Sequence, residues 1–133
     1  MAPLICYDVL DPRYAARAVR RGAALIVTLS NDSWFGDGPG ARMHLVGAAF
    51  RSIETRRPQL RATNTGISAV IDATGTIVGT IAVGQRDTLV ATVTPVRDAW
   101  SLAVAWGDWL GPTALAASIV LVAGALLRLR SVR

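Results

Sequence analysis

Lysine is absent from this chain of 133 residues, and all 14 of its basic residues are arginine. The chain therefore supplies no lysine nucleophile, no Schiff base and no phosphate-loop lysine. It has one cysteine and one histidine, which excludes an internal disulfide framework and a Cys/His zinc cluster. We predict no metal and no cofactor, and any chemistry rests on the remaining polar residue types or on groups supplied from elsewhere.

Charge is also scarce. Charged residues make up 17% of the chain and hydrophobic residues 52%, a balance that excludes a disordered chain. The net charge of +5 could indicate nucleic acid or an anionic membrane surface. The arginines are dispersed and do not alternate with aromatic residues, as single-strand binders require, so we predict no nucleic-acid partner.

One long run without charge stands out near the end of the chain. Residues 109–127 are 19 consecutive uncharged residues, which as a helix span roughly 28 Å, close to the thickness of the bilayer core. Trp106 lies just before the run and Trp109 begins it, where an interfacial aromatic belt would lie. The alternative is a buried core helix. The basic residues that follow favour a membrane span with a cytoplasmic C-terminus: Arg128, Arg130 and Arg133.

These observations divide the chain into four segments. Residues 1–98 form the folded portion, which the orientation of the span places outside the cytoplasm. Residues 99–111 are a juxtamembrane segment, residues 112–128 the membrane-spanning helix, and residues 129–133 a basic cytoplasmic tail.

Residues 1–98 are predicted to be an α/β layered unit. Asp11 and Pro12 begin a helix and Gly22 follows its end, because these are the preferred cap residues. Apolar and β-branched runs predict strands. They lie at residues 3–6, 23–29, 59–63, 67–71 and 76–83, the last two as a hairpin, and an alternating segment at residues 89–94 closes the unit.

A second helix is indicated by apolar residues three or four positions apart. This apolar stripe consists of Met43, Val46, Phe50 and Ile53, and Pro58 ends the helix. On the same helix, pairing of Glu54 with Arg51 and Arg57 is expected on the surface.

Cys6 ends the first strand just before a helix. This placement resembles a nucleophile elbow, in which a sharp turn exposes the side chain beside backbone N–H groups. The alternative is a small buried hydrophobic residue, the usual role of a lone cysteine. Asp8 follows two residues later. We expect His44 to be a surface or loop-packing residue rather than a catalytic base.

Two loops are predicted to share the edge of the sheet with Cys6, because ligands of open α/β sheets bind at the carboxyl ends of strands. The first loop begins at Asn31, and its Trp34 and Phe35 could form the wall of a substrate pocket or cap a structural Asx-turn. The second contains Asn64 and Gly66, either as a plain turn or as backbone that approaches a substrate.

Four motifs occur together in a specific order: residues 4–8 (LICYD), 30–36 (SNDSWFG), 51–58 (RSIETRRP) and 61–68 (RATNTGIS). With the closing apolar helix, they resemble the C-terminal part of the apolipoprotein N-acyltransferase family, a membrane-embedded branch of the nitrilase (carbon–nitrogen hydrolase) superfamily. The likeness covers nearly the whole chain. It implies part of an α-β-β-α sandwich followed by one transmembrane helix.

The resemblance implies a reaction with two halves in the bacterial inner membrane. Cys6 would take an acyl chain from a phospholipid as a thioester and pass it to the N-terminal amine of a diacylglyceryl-cysteine lipoprotein. Tyr7 would donate its backbone N–H to the oxyanion, and Asp8 is carried over as a catalytic position. Asn31, Trp34, Phe35 and Asn64 are the predicted substrate-binding residues.

The resemblance also implies that a catalytic Glu and Lys precede the Cys, so we expect the chain to be a C-terminal portion that is inactive alone. The family usually has Cys-Tyr-Glu, whereas this chain has Asp8 at the third position, as soluble nitrilase-like amidases commonly do. Two alternatives therefore stay open: a membrane-anchored amidase, and a truncated module without catalytic activity.

Overall fold

The computed structural model describes residues 1–36 and 38–131, without the side chains of residues 129–131. Five strands form one sheet: β1 (Ala2–Ile5), β2 (Ile26–Ser30), β3 (Gln59–Thr63), β4 (Ser68–Ile71) and β5 (Ile77–Ile81). Four α-helices lie in the described residues: α1 (Pro12–Arg20), α2 (Gly40–Thr55), α3 (Leu102–Trp106) and α4 (Leu110–Ser131). The predicted α/β class with one apolar C-terminal helix is confirmed.

The sheet follows the order of the chain, from β1 to β5. The strands β1, β2 and β3 are parallel, with α1 and α2 as the crossovers, whereas β4 and β5 add as an antiparallel hairpin. Parallel strands place their carboxyl ends at one edge. The turns that follow β1, β2 and β3 therefore meet at the edge where the sequence predicts a site.

The two faces of the sheet have different surroundings. On one face α1 and α2 cover alternate strand residues, and the core joins Leu4 and Ile26 to Val19 and Leu45 of the helices. On the other face Ile5 and Leu29 are 56% and 50% exposed. Apolar strand residues are normally covered on both faces of a parallel sheet, so within the described residues this second face is bare at β1 and β2.

The start of α1 and the ends of both crossover helices agree with the sequence. The Asp11 carboxylate accepts a hydrogen bond from the Arg13 N–H and caps α1, with Pro12 in the first turn. Gly22 follows α1 with φ of 91°. After α2 the chain turns through Arg56, whose φ of 54° is left-handed, and Pro58 prevents a further helical turn.

Helix α2 turns a face to the core that is not its apolar stripe. Its apolar stripe is exposed, and Met43 is 69% accessible to solvent. Small side chains face the core instead, because they let the helix approach the sheet and α1 more closely than large ones would. The buried residues of α2 are Ala41, His44, Leu45, Ala48, Arg51, Ser52 and Thr55.

The predicted closing segment is also different. Residues 82–101 contain no helix or strand. The Leu89 side chain lies next to Gly79 of β5, so this segment contacts the sheet without pairing with it as a strand.

The sequence suggests that Glu54 pairs with both Arg51 and Arg57. Arg51 does pair with Glu54, at 2.8 Å, but Arg57 has other partners. Arg57 is buried, and its guanidinium donates to five carbonyl oxygens. They belong to Ala23, Thr55, Arg56, Arg97 and Ala99, at 2.7–3.1 Å. Burial lowers the pKa of this guanidinium, and the charge of Asp98 opposes that shift.

Helix α4 is exposed along its described length. Its stretch Leu110–Arg128 has 19 residues, a mean hydropathy of 2.1 and no buried share, so it is long and apolar enough to cross a membrane. Trp106 and Trp109 stack edge to face just before it, with ring centroids 5.8 Å apart. The predicted basic tail, residues 129–133, has its side chains outside the described part of the chain.

Candidate active site

Cys6 stands at a strained turn. It follows β1 directly, begins the 3-10 helix Cys6–Leu10, and has a left-handed φ of 52°. This conformation costs a residue with a side chain roughly 1–2 kcal/mol. Such strain persists where the surrounding structure imposes it, and it concentrates at functional sites. The half-buried thiol thus has the elbow geometry that its position in the sequence suggests.

The residues after Cys6 shape this turn. The Asp8 carboxylate accepts a hydrogen bond from the Ile5 N–H at 3.0 Å and closes the turn on β1. The N–H of Tyr7 lies in the first turn of the 3-10 helix, where backbone donors have no partner within the helix. Tyr7 therefore presents a backbone donor beside the thiol, whereas the side chain of Asp8 is engaged with the strand.

An open pocket of about 430 Å³ lies at the carboxyl edge of the sheet. It brings together four of the predicted site residues, Cys6, Asn31, Trp34 and Asn64. The other residues that line it are Ile5, Leu29, Ser30 and Ser33. An apolar wall, a thiol and two amide side chains therefore surround one space.

Aromatic rings connect the thiol turn to the loop after β2. Tyr7 lies between Trp34 and His44, with ring centroids 5.8 and 5.6 Å away. Phe35 does not line the pocket but packs edge to face on His44 at 5.7 Å and against Trp34 at 6.5 Å. Phe35 therefore supports the aromatic wall from behind.

A buried polar network lies beneath this wall. The Asp32 carboxylate accepts from the Arg61 guanidinium at 2.8 Å and from the Ser30 hydroxyl at 2.6 Å. His44 Nδ1 lies 3.0 Å from the Asp32 carboxylate, and His44 Nε2 lies 3.3 Å from the Cys6 carbonyl oxygen. The network therefore extends from β2 and β3 to the backbone of the thiol turn.

The Arg61 guanidinium and the Asp32 carboxylate are both fully buried. Burial lowers the pKa of Arg61, and the negative charge of Asp32 raises it again through the Coulomb attraction and the hydrogen bond. A buried charge that loses its partner is strongly destabilising, so each of these two groups depends on the other.

The loop after β3 completes the network. The Asn64 side-chain oxygen accepts from the Asp32 N–H at 3.3 Å, and the Asn64 N–H donates to the Ser30 carbonyl. Gly66 lies so close that an added Cβ would overlap an Asp32 carboxylate oxygen. A glycine is required at this position for steric reasons.

His44 is not a surface residue; of the two places that the sequence suggested, it has the packed one, against the rings of Tyr7 and Phe35. The residue is 2% exposed, and both ring nitrogens face polar groups of the network. Asp32 and Arg61 were not singled out. One signal for His44 was present: Ala41, His44, Leu45 and Ala48 have helical spacing, which matches the buried face of α2.

The sheet with its two crossover helices, and a cysteine at the turn after the first strand, agree with one family. The family model described as carbon-nitrogen hydrolase matches residues 1–100. The chain belongs to this carbon–nitrogen hydrolase family.

Curated relatives narrow the comparison. An apolipoprotein N-acyltransferase of Azotobacter vinelandii is 38% identical over the whole chain, and one of Shewanella oneidensis is 35% identical over the same length. The chain spans about a quarter of these proteins, 25% and 24% of their lengths. A solved carbon-nitrogen hydrolase of Helicobacter pylori shares the fold, with a TM-score of 0.57 and 13% identity over 63% of this chain and 36% of that one.

Proposed function

We propose that this chain is the cysteine-bearing portion of an apolipoprotein N-acyltransferase. The observation that carries the proposal is the position of Cys6, the chain's one thiol, at a left-handed turn that lines an open pocket beside Trp34. The name of the relatives supports this reaction. The exposed apolar helix α4 supports a substrate that is drawn from a membrane.

In the first half-reaction the Cys6 thiolate attacks the ester carbonyl of a phospholipid. The C–S bond forms, the ester C–O bond breaks, and the lysophospholipid leaves with the proton that the thiol gave up. In the second half the α-amine of a diacylglyceryl-cysteine attacks the thioester, the amide C–N bond forms, the C–S bond breaks, and the proton that the amine loses returns to the Cys6 sulfur. A thioester intermediate of this kind is the usual course of catalysis by a cysteine, and the Tyr7 N–H would stabilise the oxyanion in both halves.

The pocket residues divide this work. Trp34, supported by Phe35, offers the apolar surface that an acyl chain needs, and the amides of Asn31 and Asn64 offer hydrogen bonds to the polar part of the substrate. Asp8 contributes by closing the thiol turn through its bond to the Ile5 N–H rather than by proton transfer.

The proton-transfer groups would come from the rest of the protein. The chain has one glutamate, Glu54, which pairs with Arg51 on α2, and it has no lysine. The bare face of the sheet, with Ile5 and Leu29 exposed, is where the second sheet of an α-β-β-α sandwich would pack. We therefore expect the 133 residues alone to form no thioester, and a thioester on the isolated chain would refute this.

We further propose that α4 spans the bacterial inner membrane, with residues 1–98 on the extracytoplasmic side. The arginines that end the span support this orientation through the positive-inside rule. An alkaline phosphatase joined after Arg133 should then be inactive, because this enzyme needs the oxidising periplasm. High phosphatase activity would show that the C-terminus lies on the periplasmic side instead.

The direct test uses the protein expressed from its complete gene. A phospholipid with a labelled acyl chain should label Cys6 through a bond that hydroxylamine cleaves, and a diacylglyceryl lipopeptide should then remove the label. Cys6→Ala and the isosteric Cys6→Ser should abolish both steps, with Tyr14→Phe on exposed α1 as the control. Acyl transfer by the Cys6→Ala protein would refute the assignment.

A membrane-anchored amidase is the second candidate. The carbon-nitrogen hydrolase family model and the sequence Cys6-Tyr7-Asp8 favour it, because water could replace the amine as acceptor. Hydrolysis of a small amide without any lipopeptide product would establish this function instead. A protein that forms no thioester at all would be a module without catalysis.

A further inference from the structure

We propose that His44 is a positioning residue for Cys6: its imidazole holds the Cys6 carbonyl oxygen and thereby the left-handed backbone that presents the thiol to the pocket. The consequence for acyl transfer rests on the proposed function. The geometric claim does not, because the position of the thiol can be measured by its reaction with a simple alkylating agent.

The first support is the contact itself. His44 Nε2 lies 3.3 Å from the Cys6 carbonyl oxygen, and the imidazole is 1% exposed, so no bulk water competes for the bond. A carbonyl oxygen only accepts hydrogen bonds. Nε2 must therefore carry a hydrogen, whether Nδ1 donates to Asp32 or accepts from Arg61.

The second support is that the imidazole cannot turn away. Nδ1 lies 3.0 Å from one Asp32 carboxylate oxygen, and Ser30 and Arg61 hold that carboxylate at 2.6 and 2.8 Å. A side chain that is fixed by further hydrogen bonds can in turn fix the group it contacts. The network thus connects β2, β3 and α2 to a single backbone carbonyl on the thiol turn.

The third support is the strain at Cys6. A left-handed residue with a side chain returns to a commoner conformation unless its surroundings prevent it. The carboxylate of Asp8 holds the residue before Cys6 through the Ile5 N–H. His44 holds the carbonyl of Cys6 itself. The turn is therefore restrained on both sides of the strained φ angle.

Two substitutions distinguish the contribution of His44 Nε2 from that of His44 Nδ1. In His44→Gln the side-chain amide reaches about as far as Nε2 and can still donate to the Cys6 carbonyl. In His44→Asn the amide reaches only as far as Nδ1, so the contact with Asp32 can persist but the one with Cys6 is lost. A merely structural histidine would make both variants defective in proportion to their loss of stability.

The experiment measures acyl transfer and the alkylation of Cys6 by iodoacetamide, followed on the Cys6 peptide by mass spectrometry. Both use the protein expressed from its complete gene, and rates are given per folded molecule. We expect His44→Asn to lower kcat by about 10- to 100-fold with KM little changed, since a small misplacement of a reacting group has effects of this size. We expect His44→Gln to keep most of the activity, and alkylation to follow the same order.

Thr55→Val is the control, because Thr55 is a buried residue of α2 that bonds the Arg51 carbonyl near the far end of the helix. It should change the unfolding temperature without changing kcat or the alkylation rate. Ser30→Ala is a milder variant if His44→Asn fails to fold: it removes one bond to Asp32 and should lower both rates by a few-fold.

Equal loss in the Asn and Gln variants, or unchanged rates in Ser30→Ala, would overturn the positioning role. Absence of acyl transfer in the unsubstituted protein would instead overturn the proposed function. In that case the alkylation rates still decide whether His44 positions Cys6.

Discussion

The sheet-and-helix unit of residues 1–81 and the C-terminal helix α4 distribute polarity in opposite ways. The unit buries the charged Asp32, Arg57 and Arg61 and exposes the large apolar Phe50. In α4 the span is apolar and no part of it is buried within the protein. Hydrophobicity alone therefore does not decide which residues are inside.

The difference shows what decides instead. In the unit, a charge is buried where a partner meets it, as Asp32 meets Arg61, and small side chains are buried where elements approach closely. In α4 the exposed apolar stretch is long enough to cross a bilayer core, which is the place that we propose for it. The following predictions test this contrast in one region at a time, from the largest expected effect to the smallest.

Asp32→Ala should damage the unit most. It leaves the Arg61 guanidinium buried without its carboxylate and removes one of the two partners of His44 Nδ1, so we expect a loss of about 3–5 kcal/mol in the free energy of unfolding. Chemical denaturation of the protein in detergent measures this. The fraction of protein recovered with the membrane should not change, because this substitution leaves α4 intact. A loss below about 1 kcal/mol would show that the pair is not isolated from water.

Ile119→Arg should damage only the second region. Ile119 lies near the middle of the apolar span, where an arginine costs about 2.5–3.5 kcal/mol on insertion. The fraction of protein that resists carbonate extraction from membranes should fall, whereas Ile119→Leu should behave as the original. The unfolding of residues 1–81 should not change. Undiminished membrane retention of the arginine variant would argue that α4 is not the anchor.

Gly66→Ala tests close packing in the unit, with Gly124→Ala in α4 as its matched control. The new Cβ at position 66 would overlap the Asp32 carboxylate, whereas an added Cβ at position 124 has nothing within 4 Å. We expect a loss of about 1–3 kcal/mol for the first change. The second should be neutral or slightly favourable in a helix. Equal effects in thermal unfolding would contradict the contact.

Met43→Gln should have the smallest effect. Met43 is 69% exposed on the outer side of α2, and surface substitutions usually change stability by about 0.5 kcal/mol or less. Thermal unfolding of the complete protein measures this. A loss well above that value would mean that another surface covers the apolar stripe there.

Much of the fold was predictable because it depends on local signals. The Asp11-Pro12 start of α1, the β-branched run of β2 and the hairpin of β4 and β5 each lie within a few residues of their predicted place. The buried face of α2 was not predictable, because the exposed apolar stripe of this helix is more hydrophobic than the stripe that packs against the core. Which stripe faces the core depends on the distance between α2 and the neighbouring elements. The sequence of the helix alone does not determine that distance.

The candidate site divides in the same way. Cys6, Asn31, Trp34 and Asn64 were predicted because each follows a parallel strand, and topology brings such turns together. His44 and Arg61 were missed because their importance depends on long-range partners: 38 residues separate His44 from the Cys6 carbonyl, and 29 separate Arg61 from Asp32. A single sequence does not reveal such pairings.

Arg57 has a mechanical consequence. Its guanidinium joins three stretches of the chain: Ala23 in the turn between α1 and β2, the end of α2, and the segment that leads into α3. It stands two residues before β3, the strand that carries Arg61. One rigid, planar group therefore ties the segment that precedes α3 and α4 to the sheet-and-helix unit, in place of a strand pairing.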